Sequence, residues 1–344
     1  MLAMVGCTRW ARVRSIMKLP HRPHPSPAEK YTAVAQRAAA EVMRGYSTSF
    51  SLATSLLREP VRTHVRNLYA MVRVADEIVD GVAAGAGLST EATRACLDAY
   101  EQAVYQACDR GFSTDLVLHA FARTATECGI EDADVRDFFT SMRQDTLVAV
   151  HDAASVNSYV HGSAEVIGLM CNAIFAADSA GRGRPWSAQR RIQANEGALA
   201  LGRAFQKVNF LRDIAEDTEQ LGRNYVSGEA VTSRPARTGD LSATRTADIT
   251  PHRTPSPAAA PLTEQQKAAY IAAIRADLAL ADSAISLLPA TARAGVAATH
   301  ALFAELTELL DQASVAEIMA GRIRVSAPRK AAVTARAATR AWRT

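Results

Sequence analysis

The sequence predicts an all-α fold, and three observations carry that prediction. No segment sustains the apolar–polar alternation of a half-buried strand. Apolar residues recur instead at steps of three and four through most of the chain from residue 28 onward. Helix-start signals, such as Ser26 with Glu29 and Thr263 with Gln266, stand at the heads of those stretches.

Taken in order, residues 1–27 read as a disordered basic extension, because Arg and Trp interrupt any apolar run that could form a signal peptide or a membrane span. One helical domain is expected over 28–330. Pro27 stands at the first helical position after Ser26, and Gly45 is expected to end that helix. Ser47 and Ser49 flank the turn in Tyr46-Ser-Thr-Ser-Phe50, where hydroxyls cap the next helix or bind phosphate oxygens. Residues 65–80 form a helix whose Leu68, Val72, Val74, Ile78 and Val79 are apolar. Its Tyr69, Arg73, Asp76 and Asp80 share one stripe, spaced four, three and four.

Residues 81–87 read as a small-residue loop, followed by helices at about 89–109, 112–128 and 131–150. Another covers 155–176 and holds Tyr159, His161, Gly162 and Gly168. Glycine inside a helix costs stability relative to alanine, so close approach of a ligand or a neighbouring helix is expected there. His161 reads as a satisfied core histidine. Residues 203–217 are helical, with Phe205, Val208, Leu211 and Ile214 at steps of three. Gln206, Asn209, Asp213 and Asp217 form a second stripe, and the helix is expected to end at 221–225.

Residues 231–261 hold five Pro, six Thr, four Arg and three Ser and no aromatic residue, the composition of a disordered insertion. Helices at 263–287 and 289–312, the second opened by Pro289, complete the bundle. The end, including the basic tail 331–344, reads as solvated, with peripheral contact to anionic lipid headgroups as its function.

Composition excludes some classes. The formal charge is +4, yet residues 1–28 and 321–344 hold five and seven Lys/Arg and no acid. That leaves 27 basic against 35 acidic residues between them, a net −8, which gives no basis for a nucleic-acid partner. Five cysteines form no C-x-x-C pair, as expected of buried thiols in a reducing, cytoplasmic setting without a zinc site.

The chemistry lies in the two stripes. Like charges four residues apart on a helix repel, and charged side chains are rarely buried without partners. Two mostly apolar helices that each carry an Asp-x-x-x-Asp pair therefore predict one internal site with cations between them. Hard oxygen ligands suit Mg²⁺, which takes one or two protein carboxylates and fills its shell from water and phosphate. A diphosphate is the natural third party.

Tyr46 to Phe50, Leu68 to Asp80, Tyr159 to Gly168, Gln206 to Asp217 and Gly222 to Tyr225 together resemble the squalene/phytoene synthases, the head-to-head prenyl transferases, and the phytoene synthases of carotenoid pathways in particular. The resemblance covers about residues 31–335 apart from the insertion. It implies an isoprenoid-synthase-type helical bundle around a central cavity. By the same resemblance Asp76, Asp80, Asn209, Asp213 and Asp217 bind Mg²⁺, with Mn²⁺ as the alternative ion. Ser47, Ser49, Phe50, Tyr69, Arg73, Gln206, Arg212 and Tyr225 would hold the diphosphates and the first prenyl chain, and Arg73 and the four aspartates would be catalytic.

The activity implied is condensation of two geranylgeranyl diphosphates to phytoene through a cyclopropylcarbinyl diphosphate, without a reductant. The alternatives are a C30 squalene or dehydrosqualene synthase using farnesyl diphosphate, a class I terpene cyclase, and a non-catalytic assembly protein of the same fold. The stripe with Arg73 and the Ser47/Ser49 turn argues against the cyclase, and the four aspartates argue against the assembly protein. Thr54, one helical turn past Phe50, is smaller than an aromatic and leaves room for a C20 chain. Three departures stand out: His161 where tyrosine is common, Glu77 in place of the second Asp of Asp-Asp-x-x-Asp, and the long insertion. The expected location is the cytoplasm, peripheral to the inner face of the membrane.

Overall fold

Capping chemistry sets the first helix start. In the computed structural model, which describes residues 24–146, 153–219 and 262–343, Ser26 Oγ accepts the Glu29 N–H and Glu29 accepts the Ser26 N–H. This box opens α1 (Pro27–Tyr46), which runs through Gly45 instead of ending there. Ser47 stops it by turning to extended backbone, and its Oγ accepts the Phe50 N–H to open α2 (Thr48–Ser55).

The first acidic stripe lies on α3 (Val61–Glu77), anchored by buried Val61, Leu68, Met71 and Ala75. The helix does not continue to Asp80 with α geometry. Ile78–Val82 widen into a π turn, with Gly81 at φ 118°, before the short α4 (Ala83–Gly85). The wider turn changes the rotation per residue, so Asp76 and Asp80 are not related by the ideal α step.

Three helices follow: α5 (Thr90–Arg110), α6 (Leu116–Cys128) and α7 (Asp132–Asp145). Ser89 and Asp115 cap the first two, and Gly111 and Gly129 end them in left-handed backbone. α7 stops at Asp145, short of the expected 150. The helix expected over 155–176 is three pieces: α8 (Ala153–Val160), a π turn at His161–Glu165 and α9 (Val166–Gly181). Ser155–Gly181 is long and apolar enough to cross a membrane, with mean hydropathy 1.3. Here Val166, Met170, Ile174 and Phe175 are buried in the bundle, so it serves as a core helix.

α10 (Ala188–Glu219) carries the second stripe and packs against α9 and α11 (Glu264–Ile285). The close approaches implied by the glycines are helix–helix contacts. A Cβ on Gly162 would lie 2.1 Å from Ser141 Oγ, and one on Gly168 2.7 Å from the Ala198 carbonyl oxygen. Gly202, which the sequence reading did not single out, would meet the Ala164 carbonyl at 2.7 Å.

Thr263 and Gln266 form the expected capping box at α11. Pro289 does not open a helix: its carbonyl accepts the Ala292 and Arg293 N–H groups in a turn, and α12 (Arg293–Gln312) starts four residues later. α13 (Val315–Ala320) and α14 (Ala327–Arg343) follow. The end of the chain is therefore not a solvated tail. α14 lies on α12, with Ala338 and Ala341 buried against Ala294. The insertion at 231–261, the extension through residue 23, Asp217's side chain and Tyr225 lie outside the described residues.

Two apolar clusters build the core. One gathers α3, α5, α6, α7 and α9 around Leu68, Phe121, Phe138 and Phe139. The other gathers α8, α10, α11 and α12 around Val208, Leu211, Tyr270 and Ile274. The stripe of α3 thus lies in one cluster and that of α10 in the other, although Ala194 at the start of α10 joins the first.

Candidate active site

Four rings link α3 to α10. Phe50 on α2 lies 6.1 Å from the Tyr69 ring on α3, 6.2 Å from Phe205 on α10 and 6.2 Å from Phe303 on α12. Phe205 and Phe303 stack at 3.8 Å. Phe205 lies one helical turn before Asn209, so this cluster connects the stripe of α3 to the stripe of α10. The family resemblance implies substrate contact for Phe50 and Tyr69. The sequence leaves Phe205 and Phe303 among ordinary helix apolars, because a phenylalanine at helical spacing carries no mark of a ligand-facing role.

On the α3 side, Arg73 Nη1 donates to Asp76 at 2.9 Å, and its other Nη donates to Glu77. The guanidinium sits 4.7 Å from the centroid of the Tyr46 ring, a cation–π arrangement. Glu77 therefore shares the arginine with Asp76, which gives the residue that departs from Asp-Asp-x-x-Asp a definite contact. Asp80 is exposed on the π turn. Burial pushes the Tyr69 phenol above its ordinary range, with Asp76 adding to the rise, while Arg73 and a hydrogen bond with Ser47 pull the other way. The phenol stays protonated and able to donate. Ser49 is half-buried in the first turn of α2.

On the α10 side, Gln206, Asn209, Arg212 and Asp213 are half-buried. Asp213 is held by two arginines. Arg212 Nε donates to Oδ1 at 2.8 Å, and Arg322 Nε reaches the same oxygen at 2.8 Å. Arg322 comes from the segment between α13 and α14, which the sequence alone reads as a solvated basic end with lipid headgroup contact as its function. Lys330, on α14, donates to Thr48 Oγ1 at 3.3 Å beside the Ser47 cap. The stretch from Arg322 to Lys330 thus reaches both Asp213 on α10 and Thr48 on α2.

A second polar layer supports α10 from behind. Arg203 bonds Glu165 at 2.7 Å and Asp277 at 3.0 Å, and Lys207 reaches Asp277 at 2.9 Å. His161 Nδ1 pairs with Glu165 Oε2 at 2.7 Å. His161 is thus satisfied, as expected, though in a half-buried ion-pair network instead of an apolar core. Its hydrogen bond to Glu165 raises its pKa, burial opposes that rise, and the Glu165 and Asp137 charges reinforce it.

Among the described residues, no three His, Cys, Asp or Glu side chains lie close enough to hold a metal ion by themselves. The donor set nevertheless fits a hard divalent cation. Asp76, Asp213 and Asn209 offer oxygen atoms and no sulfur, and an ion such as Mg²⁺ needs only one or two protein carboxylates when phosphate supplies the rest. The carboxylates are meanwhile neutralised by Arg73, Arg212 and Arg322.

The sequence matches the squalene/phytoene synthase family over residues 43–330. It is 29% identical over 208 residues to a 15-cis-phytoene synthase of Synechocystis sp., covering 59% of this chain and 60% of that protein. It is 30% identical over 187 residues to the chloroplastic phytoene synthase 1 of Arabidopsis thaliana, covering 54% of this chain and 41% of that protein. The fold resembles a dehydrosqualene synthase crystallised with a ligand, with TM-score 0.65, 18% identity and coverage of 93% of this chain and 100% of that one. It also resembles the squalene synthase HpnC of Alicyclobacillus acidocaldarius, with TM-score 0.60, 18% identity and coverage of 87% and 98%. The family match over residues 43–330, most of the chain, shows that this helical bundle belongs to the squalene/phytoene synthase family.

Proposed function

We propose that the protein is a divalent-metal-dependent prenyl transferase that joins two geranylgeranyl diphosphates head to head, giving phytoene. One observation carries this reading. Acidic stripes on α3 and α10, each with guanidinium groups on its carboxylates, are joined by the Phe50–Tyr69–Phe205–Phe303 cluster. That pairs a polyanion-binding mouth with an apolar interior, as a prenyl diphosphate requires.

Asp76, Asp80, Asn209, Asp213 and Asp217 would hold Mg²⁺, which neutralises diphosphate charge when bound. The chain's own groups do the rest. Arg73, Arg212 and Arg322 present fixed positive charge to the leaving pyrophosphate as the C–O bond of one substrate breaks. The Tyr69 phenol and the Ser47 and Ser49 hydroxyls orient the diphosphates, with the Gln206 amide in the same role. Phe50, Phe205 and Phe303 keep water from the allylic cation and face it with π density.

The double bond of the second substrate attacks the cation, and loss of a proton closes the cyclopropane. A second pyrophosphate then leaves, the skeleton rearranges, and loss of another proton gives the conjugated triene. No electrons are gained or lost, so no reductant enters. Phytoene synthase relatives support the C20 substrate over the C15 alternative. Peripheral contact with anionic lipid is a secondary reading, supported by Trp342, which is 60% exposed at the end of the basic α14. The direct test is pyrophosphate release from geranylgeranyl diphosphate with Mg²⁺, abolished by chelation and restored by added Mg²⁺. Absence of release, or release unaffected by chelation, contradicts the reading.

A further inference from the structure

Helices α11, α12 and α14 line an open groove of about 670 Å³, within the range of small-ligand sites. It lies on a different face of α12 from Phe303. At 100° per residue, Ala297, Ala301 and Ala304 form one stripe of α12, and Phe303 falls well to the side of it. Val333 and Ala337 on α14 complete an apolar floor of small side chains.

The two ends of this groove differ in charge. The Arg329–Glu305 pair, at 2.7 Å, sets α14 antiparallel to α12. Glu305 and Glu308 therefore mark one end, and each is already neutralised, by Arg329 and by Arg275 at 2.9 Å. Toward the other end stand Arg293 and Arg340, with Arg336 one helical turn from Arg340 toward the middle of the groove. Arg336 and Arg340 are exposed and have no ion-pair partner among the described residues. Arg293 is fixed by Nη2 bonds to the Ser286 and Leu288 carbonyls, both at 3.1 Å, while its Nε is buried without a partner. Asp282 is the opposing charge at that end. Three guanidiniums against one carboxylate leave an excess of positive charge, and a bound anion would offset the cost of the unpartnered Nε–H.

We propose that this groove binds a phosphate-bearing amphiphile, its head on Arg293, Arg336 and Arg340 and its single chain along the alanine floor. The site is separate from the candidate active site, and the inference does not depend on the prenyl-transfer reading. Guanidiniums favour a phosphate over a neutral head because they can donate in parallel to two of its oxygens. The small side chains of α12 and α14 leave space for the chain.

The test is calorimetric titration of the full-length protein with dodecyl phosphate below its aggregation concentration. Dodecanol and inorganic phosphate serve as the head-less and chain-less arms, and phosphatidylglycerol vesicles as the membrane arm. Saturable 1:1 binding of dodecyl phosphate is expected, at least tenfold tighter than either fragment. R336A/R340A should weaken it at least tenfold. A301F, which fills the floor but keeps every arginine, should weaken it comparably, with circular dichroism confirming that both variants are folded. Equal binding by wild type and R336A/R340A overturns the proposal, as does the absence of binding. Vesicle binding that depends on the same arginines, without binding of soluble dodecyl phosphate, also overturns it and assigns those residues to a membrane surface.

Discussion

Arg322 closes on Asp213 with its Nε 2.8 Å from Oδ1, joining the segment after α13 to the acidic stripe of α10 across 109 residues of sequence. With Arg212 on the same carboxylate, Asp213 sits between two guanidinium groups. We predict that Arg322→Gln lowers kcat/KM for the prenyl diphosphate by about 10²-fold, the scale of losing one preorganised electrostatic contact. Steady-state kinetics at saturating Mg²⁺ check this. A near wild-type value would remove Arg322 from the site.

Asp213→Asn is expected to cut turnover by about 10²–10³-fold. The sequence alone suggests that this change relieves repulsion within the stripe. The structure reverses that expectation, because the substitution leaves Arg212 and Arg322 facing each other without a counter-charge. The partly exposed setting limits the loss of stability to about 1 kcal/mol or less. Thermal unfolding of the variant measures it, and a raised Tm would contradict this account.

Backbone approach around the second π turn makes Gly162 a structural requirement. Gly162→Ala would press a methyl onto the Asp137 carbonyl at 2.3 Å, which a side-chain rotation cannot relieve. The expected cost is about 1–3 kcal/mol of stability. Gly45→Ala is the contrasting case, since Gly45 lies inside α1 with nothing within 4 Å of an added Cβ. It should stabilise by about 0.5–1 kcal/mol. Chemical denaturation of both variants gives the two signs directly.

The His161 network gives stability a pH signature. Its hydrogen bond to Glu165 raises the His161 pKa above the ordinary 6.5. The folded state then binds more protons than the unfolded one, so this contribution is full below 6.5 and is lost as pH rises through the folded value. Burial, with Asp137 and Glu131 nearby, pushes Asp134 up to about 6 from its ordinary 3.8. Stability falls there too as pH rises, but the step is largely over before the histidine titrates. Melting curves from about pH 5 to 9 should therefore show a decline above 6.5 that His161→Gln removes. A decline unchanged in the variant would place its origin elsewhere.

What the sequence made legible was local. The Ser26 and Thr263 capping boxes and the apolar steps of α3 and α10 are short-range chemistry, and they appear where the residues predict them. The π turns at Ile78–Val82 and His161–Glu165 were not legible, because their register is set by neighbours such as α7 pressing on Gly162. Arg322 was hidden for the same reason: an arginine in a basic segment shows its role only when folding carries it to Asp213. Phe303 was hidden because a ring facing a ligand and a ring facing a core follow the same helical period.

Thr54 bears on chain length. It is buried, at 5% exposure, one turn beyond Phe50 in α2. Thr54→Phe should overpack that end and disfavour the longer chain by about 1–3 kcal/mol, moving preference toward the C15 substrate. An unchanged C15-to-C20 ratio would show that Thr54 does not line the chain's path.

The most direct measurement of the central claim is a competition in which the purified wild type receives equal farnesyl and geranylgeranyl diphosphates with Mg²⁺, and the hydrocarbon products are separated and weighed by mass spectrometry. The account predicts a C40 hydrocarbon with conjugated-triene absorbance, formed without any reductant. A predominant C30 hydrocarbon, or a cyclised product from a single diphosphate, would contradict it.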